Sequence, residues 1–375
     1  MHALLRSTVL AVLIATPAFA APENAGNTTA TSKLPFQAQT VARFNLPWAI
    51  ALIDADQLLV TTKPGKLFVV DRRGGDPVEV TGVPDVAYGG QNGLLDVALA
   101  PDFADSRRIY LTYVEPGDGG SSLALARATL DEADGKAQLG DFEVLWRQLP
   151  KGKGGQPGGI IAFSPDGQLL FLTVGDRMRP ATAQDPDLEL GKVLRLTLDG
   201  KPAPGNPWAG EGGARAETWT TGHRNPYGLA FASDGRLWLH EMGPKGGDEL
   251  NLIEPGKNYG WAAVSYGDNY DGSPIPKPPT RPEFQEPALY WDPVIAPAGL
   301  AFYEGELFPA WKGSALIGGL KTQSLSRVTI DGTSAHEDER FAMGARIRDV
   351  AVASDGAVWV IEDESPGRLL RLSPR

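Results

Sequence analysis

One phrase recurs along this chain and constrains its fold more than any other feature. It is a small apolar strand, a polar turn of the Pro-Asp-Gly or Ser-Asp-Gly kind, and a second apolar strand. Copies stand in WAIALIDADQLLVTT (48–62), LDVALAPDFADSRRIYLTYV (95–114), IIAFSPDGQLLFLTVGD (160–176), GLAFASDGRLWLHEMG (228–243) and DVAVASDGAVWVIED (349–363). A weaker copy is GLAFYEGELFPAWKGSALIGGL (299–320). Asp-Gly between alternating apolar runs is the strongest short-range signal of a β-hairpin. Helical periodicity is nearly absent, apart from short turns near 183–192. Six hairpins at irregular intervals of roughly 45–70 residues therefore predict an all-β fold, a six-bladed β-propeller. Each hairpin would supply the inner strands of a blade. A β-sandwich with unrelated hairpins is the competing architecture. The loops between copies, where the copies differ most, are the expected home of the chemistry.

Composition narrows the classes of function. The N-terminal MHALLRSTVLAVLIATPAFA carries Arg6, an apolar run from Val9 to Ala15, and Ala18-Phe19-Ala20. That is the pattern of a secretory signal peptide over residues 1–20, cleaved after Ala20, with a run too short for a membrane anchor. Residues 21–40 read as a flexible lead-in and 41–375 as the propeller. A periplasmic or secreted location follows, with no membrane span in the mature chain. The sequence has no cysteine, which excludes disulfides, thiol catalysis and cysteine-bound metals. A net charge of −11 argues against nucleic acid and anionic lipid as partners. Four scattered histidines do not make a histidine-rich metal site.

Four constellations stand out. In TGHRNPYGLAF (221–231), Arg224 and Asn225 precede Pro226, which fixes the turn. They suit either a planar, oxygen-rich ligand or the loop's own carbonyls. In ARIRDVAVASDG (345–356), Arg346 and Arg348 are two apart at a strand entrance and so share a face. They read as solvated surface or, in so acidic a chain, as a site for an anion that Lys321 of GGLKTQSL could join. The stretch EMGPKGGDELNLIEPGKNYGWAAVSYGDNYDG (241–272) sets Asp248, Glu249, Asp268 and Asp271 among glycines and tyrosines. It is a solvated acidic loop or a source of hard oxygen ligands for Ca²⁺. Lastly, Gln91 in YGGQNG and Gln156 in GKGGQPGG both stand among glycines just before a strand.

In order and spacing, GQNGLLDVALAPDF, GKVLRLTLDG, GHRNPYGLAF, GPKGGDELN with KNYGW, DPVIAPAGLAFY and RIRDV resemble one family. It is that of the soluble, pyrroloquinoline-quinone-dependent sugar dehydrogenases, or glucose/sorbosone dehydrogenases, and the resemblance covers nearly the whole mature chain. It implies a six-bladed propeller, periplasmic or secreted, that oxidises an aldose to its lactone and passes electrons to an acceptor the sequence does not name. It implies pyrroloquinoline quinone (PQQ) held by positions matching Gln91, Arg224, Asn225, Lys321, Arg346 and Arg348, with Tyr270 as a further contact. It also implies Ca²⁺ against the quinone at Gly243 and Pro244, and another at Glu249 and Tyr259. The chain departs from the family pattern at Tyr227, where a glutamine is usual, at Ile160, where an arginine is usual, and at Gln156, which stands where the family has its catalytic histidine. Asp176, matching a carboxylate near that base, is then the expected surviving base. The alternative is a propeller that binds quinone or carbohydrate without turnover. A hydrolase or lactonase built on the acidic loop is a third reading, opposed by the basic cluster.

Overall fold

The structure, a computed structural model, describes residues 21–375; the signal peptide expected over residues 1–20 lies outside them. The chain is almost wholly β. Each recurring hairpin forms the first two strands of a four-strand antiparallel run. The runs begin with Pro47–Leu52, Leu94–Leu99, Gly158–Phe163, Pro226–Phe231, Pro297–Phe302 and Ile347–Val352. The first two runs merge into an eight-stranded sheet, because Val78–Thr81 pairs in parallel with Lys136–Arg147. The six innermost strands touch one another in sequence order, and the last touches the first. Closure is sealed by the strand Phe36–Phe44, which pairs antiparallel with the C-terminal Gly367–Pro374. No helix among the described residues is long and apolar enough to cross a membrane.

Every innermost strand carries a β-bulge near its start, where its register against the second strand slips, for example between Gly158 and Ile161 or Ile347 and Asp349. A bulge frees backbone groups that must find other partners. In three runs the second strand supplies them. Thr61 Oγ1 accepts from Ala49 N and donates to Leu95 O of the next run. Thr112 does the same between Asp96 N and Gly159 O, and Thr173 between Ile160 N and Pro226 O. In the fourth run His240 Nε2 reaches Gly299 O at 2.9 Å. In the fifth the place belongs to Gly318, where a side-chain carbon would lie 2.6 Å from both Ala298 O and Ile347 O. From the innermost strands themselves, Asp96 accepts from Ile161 N and Asp349 from Ile50 N, each binding its neighbour run. These two aspartates line an axial cavity of about 170 Å³, and burial pushes their carboxyls up to about 8 and about 7.

The lead-in expected over residues 21–40 is not loose. Glu23–Asn24 pairs in parallel with Leu289–Trp291, and Asn24 Nδ2 donates to Asp292 O at 3.0 Å. The Arg340 guanidinium donates to Thr28 O and Ala25 O at 2.9 and 2.8 Å. Sheet structure continues from Phe36, ahead of the expected boundary at residue 41. Composition alone does not reveal this, because the partners lie some 270–315 residues away in sequence.

The hydroxyl bridges are open to test. Thr112→Val keeps the shape and strands two buried backbone groups, so it should lower stability by about 2 kcal/mol. This reads as a lower urea midpoint at unchanged slope, and an unchanged midpoint would count against the bridge.

Candidate active site

The bulged strand starts and the turns after the second strands gather at one end of the ring and enclose a cavity of about 200 Å³. It is lined by Trp48, Lys63, Gln91, Tyr227, Arg346 and Arg348, among others. Charge dominates its wall. Arg346 Nη2 and Arg348 Nη2 each donate to Asp363 Oδ2 at 2.8 Å, and Lys63 Nζ lies 3.3 Å from Asp363 Oδ1. Three cations thus share one carboxylate. Their field holds Asp363 well below the usual carboxylate range despite its burial, while burial pulls Lys63 down. Arg348 is 7% exposed, and its Nε finds no acceptor among the described residues. Its guanidinium lies over the rings of Tyr227 and Trp48, at 5.6 and 6.0 Å. Tyr227 is buried beneath this cavity, edge-on to Trp48. Ile160 lines the axial cavity instead.

Beside this cavity lies a second group. Arg224 donates through Nη1 to Met242 O and Gly243 O at 3.0 and 2.8 Å, and through Nη2 to the Tyr270 hydroxyl at 3.2 Å. Its charge rests over the Trp261 ring at 5.3 Å. Asn225, fully buried, accepts from Gly158 N through Oδ1 at 3.4 Å. The Gln156 amide bridges the group. With its oxygen facing Arg224 Nη2 at 2.8 Å, its nitrogen donates to Asp176 Oδ1 at 2.5 Å, the orientation in which both atoms meet complementary partners. Asp176 also accepts from Met178 N and from Trp261 Nε1, both at 2.8 Å. Asp176 is 0% exposed, and burial pushes its carboxyl up to about 6 against those donors. Gln91 Oε1 accepts the Gln156 backbone N–H at 2.7 Å.

The acidic stretch divides. Asp268 is paired with Lys277 at the surface and Asp271 closes its own turn on Ser273. Asp248 is buried and accepts Gly243, Ile295 and Ala296 N–H groups, which fixes the turn containing Gly243 and Pro244. Gly243, Glu249 and Tyr259 line one small cavity of about 10 Å³ with Glu241. Burial, with Glu241 and Asp248 nearby, drives the Glu249 carboxyl well above its ordinary range. Glu241 is tied to His223 Nδ1 at 2.7 Å and to Arg224 N at 2.6 Å, so the small cavity and the Gln156 group share a wall. Among the described residues no three His, Asp or Glu side chains converge on one metal position.

Most of the residues singled out in sequence therefore fall at this end of the ring. Lys321 is exposed, next to the cavity residue Leu320. Tyr270, 72% exposed, meets the group through Arg224. Sequence reasoning missed Lys63, Asp363, Trp48, Trp261 and Glu241. For two of them a signal existed: Lys63 and Asp363 directly follow second strands, the place that Lys321 and Asp176 hold within two residues of theirs.

Comparison with known proteins identifies the family. The family described as Glucose / Sorbosone dehydrogenase matches residues 44–371, and the chain belongs to it. Aldose sugar dehydrogenase YliI of Escherichia coli (strain K12) is 42% identical over 339 residues, 88% of this chain and 90% of that protein. The apo-form crystal structure of soluble aldose sugar dehydrogenase from Escherichia coli superposes with a TM-score of 0.84 at 40% identity, covering 91% of this chain and 100% of that one. The PQQ-bound aldose sugar dehydrogenase of Streptomyces coelicolor gives 0.74 at 30% identity, covering 92% and 100%.

The cation cluster carries a pH-dependent prediction. Asp363→Asn should lower stability at pH 7 by about 3 kcal/mol, since it leaves three buried or half-buried cations uncompensated. The depressed carboxyl contributes fully above its unfolded value of about 4 and progressively less as pH falls toward its folded value. The gap between parent and variant in urea midpoint should therefore narrow below about pH 4; a constant gap down to pH 3 would contradict the assignment.

Proposed function

We propose that this family member is a periplasmic six-bladed propeller that oxidises an aldose, or a related sugar or polyol, to the lactone with PQQ and Ca²⁺. The observation that carries the reading is the cavity wall, where among the described residues Asp363 is the one carboxylate paired with Lys63, Arg346 and Arg348, while in the adjoining group none pairs with the Arg224 side chain. In a chain of net charge −11, such an excess fits a ligand bearing several carboxylates. The orphaned Arg348 Nε points the same way. PQQ has three carboxylates and an ortho-quinone, and when bound supplies a two-electron acceptor. Gln91, Arg224, Asn225, Lys321, Arg346 and Arg348, with Tyr270, would hold it, and Lys63 joins them. Carbonyls of Gly243 and Pro244 offer Ca²⁺ hard oxygen donors, and buried Glu249 beside Tyr259 offers a second position where a cation would relieve its raised carboxyl.

The chain's own contribution to the chemistry is to orient the sugar and take its hydroxyl proton. Gln156 cannot serve as a base, since an amide does not bind a proton near neutrality. Asp176 can, at the Oδ1 that Gln156 covers, and a carboxyl near 6 suits a general base. Arg224, anchored on two carbonyls, would turn an Nη2 N–H from the Gln156 amide oxygen to the substrate oxygen.

One observation favours a second reading. Asp176 is sealed behind Gln156 and satisfied by three N–H donors, which suits a propeller that binds quinone or carbohydrate without turnover.

Dye-coupled kinetics on a sugar panel separate the readings. In the first, the parent turns over, Asp176→Asn lowers kcat by roughly 10² or more, and kcat/KM rises with pH through about 6 and then levels. In the second, the parent is silent, whereas Gln156→His, with its ring held by Asp176, turns over. Silence from both proteins, loaded with quinone and Ca²⁺, would exclude the dehydrogenase reading.

A further inference from the structure

Neither Gln91 nor Gln156 lies on a strand, and the loops bearing them contain glycines at 89, 90, 154 and 155. Such loops need an external constraint to hold one shape. Gln156 itself adopts φ +54°, and across from it Arg177 and Met178 adopt +56° and +58°, left-handed values that cost a side-chain-bearing residue energy and persist only where neighbours impose them.

The constraint is Arg177. Its side chain is fully buried, and among the described residues no carboxylate pairs with it; burial pulls its guanidinium down to about 10. A buried guanidinium of this kind is costly and calls for a reason. Nη1 donates to Asn92 Oδ1 at 3.1 Å, and Asn92 Nδ2 passes the restraint to Gly154 O at 3.0 Å. Nη2 donates to Ser121 Oγ at 3.1 Å, and Ser121 exchanges two backbone hydrogen bonds with Gly152, at 2.9 and 3.0 Å. The Arg177 backbone N–H donates to Gln156 O at 3.2 Å. Gln91, next to Asn92, receives the Gln156 N–H. Through Asn92 and Ser121 the Arg177 side chain is thus linked to Gly154 and Gly152 of the glycine-rich loop and to the turn that carries the other glutamine, while its backbone holds Gln156. Residue 154 must be glycine here, because a side-chain carbon would lie 2.4 Å from Arg177 O.

We infer that Arg177 is the positioning residue that locks the 89–92 turn and the 152–156 loop together, and so fixes Gln156 between Asp176 and Arg224. The kinetic consequence rests on the dehydrogenase reading; the loop order does not. Amide hydrogen exchange on the protein without cofactor tests the lock directly. In Arg177→Met, exchange at both Gly152 and Gln156 should quicken about tenfold or more, with Val358–Glu362 unchanged. In Asn92→Ala, Gln156 alone should quicken, because the Ser121 arm survives. In Arg177→Lys, protection at one of the two sites should return. With quinone, Ca²⁺ and sugar, kcat of Arg177→Met should fall about tenfold with KM within about threefold, partly recovered by Arg177→Lys. Unchanged exchange at Gln156 in Asn92→Ala, or uniform quickening across the whole chain in Arg177→Met, would overturn the inference whatever the kinetics show. Should Arg177→Met not fold, Asn92→Ala decides alone.

Discussion

The hydroxyls that bridge three of the six innermost strands to the next, with His240 in a fourth place, are the interaction on which the rest of this structure depends. Thr61, Thr112 and Thr173 each accept from the bulged strand of their own run and donate to a carbonyl of the following one. His240 holds the same place by a ring nitrogen, and Gly318 by having no side chain. In the three threonine runs the bulge is tolerable because the hydroxyl satisfies the freed backbone. Thr173 binds Pro226 O beside Tyr227, and Asp349 binds Ile50 N of the first run, so the cavity lining is held by this frame. The cavity is thus a consequence of how the ring is stitched.

On that frame the chain places a charge imbalance that folding alone does not justify. Burying Arg348 and Lys63 against one shared aspartate costs solvation that a single carboxylate does not fully offset. Functional sites keep such imbalances because a ligand completes them. The neighbouring Gln156 group differs in kind. Its hydrogen bonds are closed among Arg224, Gln156, Asp176 and Trp261. One region carries an excess of positive charge, and the other closes its hydrogen bonds internally. The proposed proton transfer therefore turns on Gln156 rather than on the cationic wall.

Much of this was legible in the sequence. The six hairpins were readable because paired apolar strands around a polar turn, with Asp-Gly in three of them, are local signals, and each became the first two strands of a run. Arg346 and Arg348 were readable as a pair because strand periodicity puts them on one face. Asp363, their shared partner, was not, since its role depends on a turn seventeen residues from Arg346 in sequence. The lead-in failed for the same reason: Arg340, not local composition, orders Ala25 and Thr28. The acidic stretch read as one feature and separated into surface pairs at Asp268 and Asp271 and buried groups at Asp248 and Glu249. Burial is a property of the assembled ring, which a local window does not contain.

The central claim is that the cationic wall is a site for a multiply carboxylated quinone acting with Ca²⁺. Titrating the metal-free protein with PQQ, with and without Ca²⁺, tests it most directly, because binding does not require turnover. The account predicts saturable one-to-one binding that tightens with Ca²⁺ and weakens at least about tenfold in Arg348→Gln, as loss of a charge-assisted hydrogen bond entails. Binding that never saturates, or that is indifferent to both Ca²⁺ and Arg348, would contradict it.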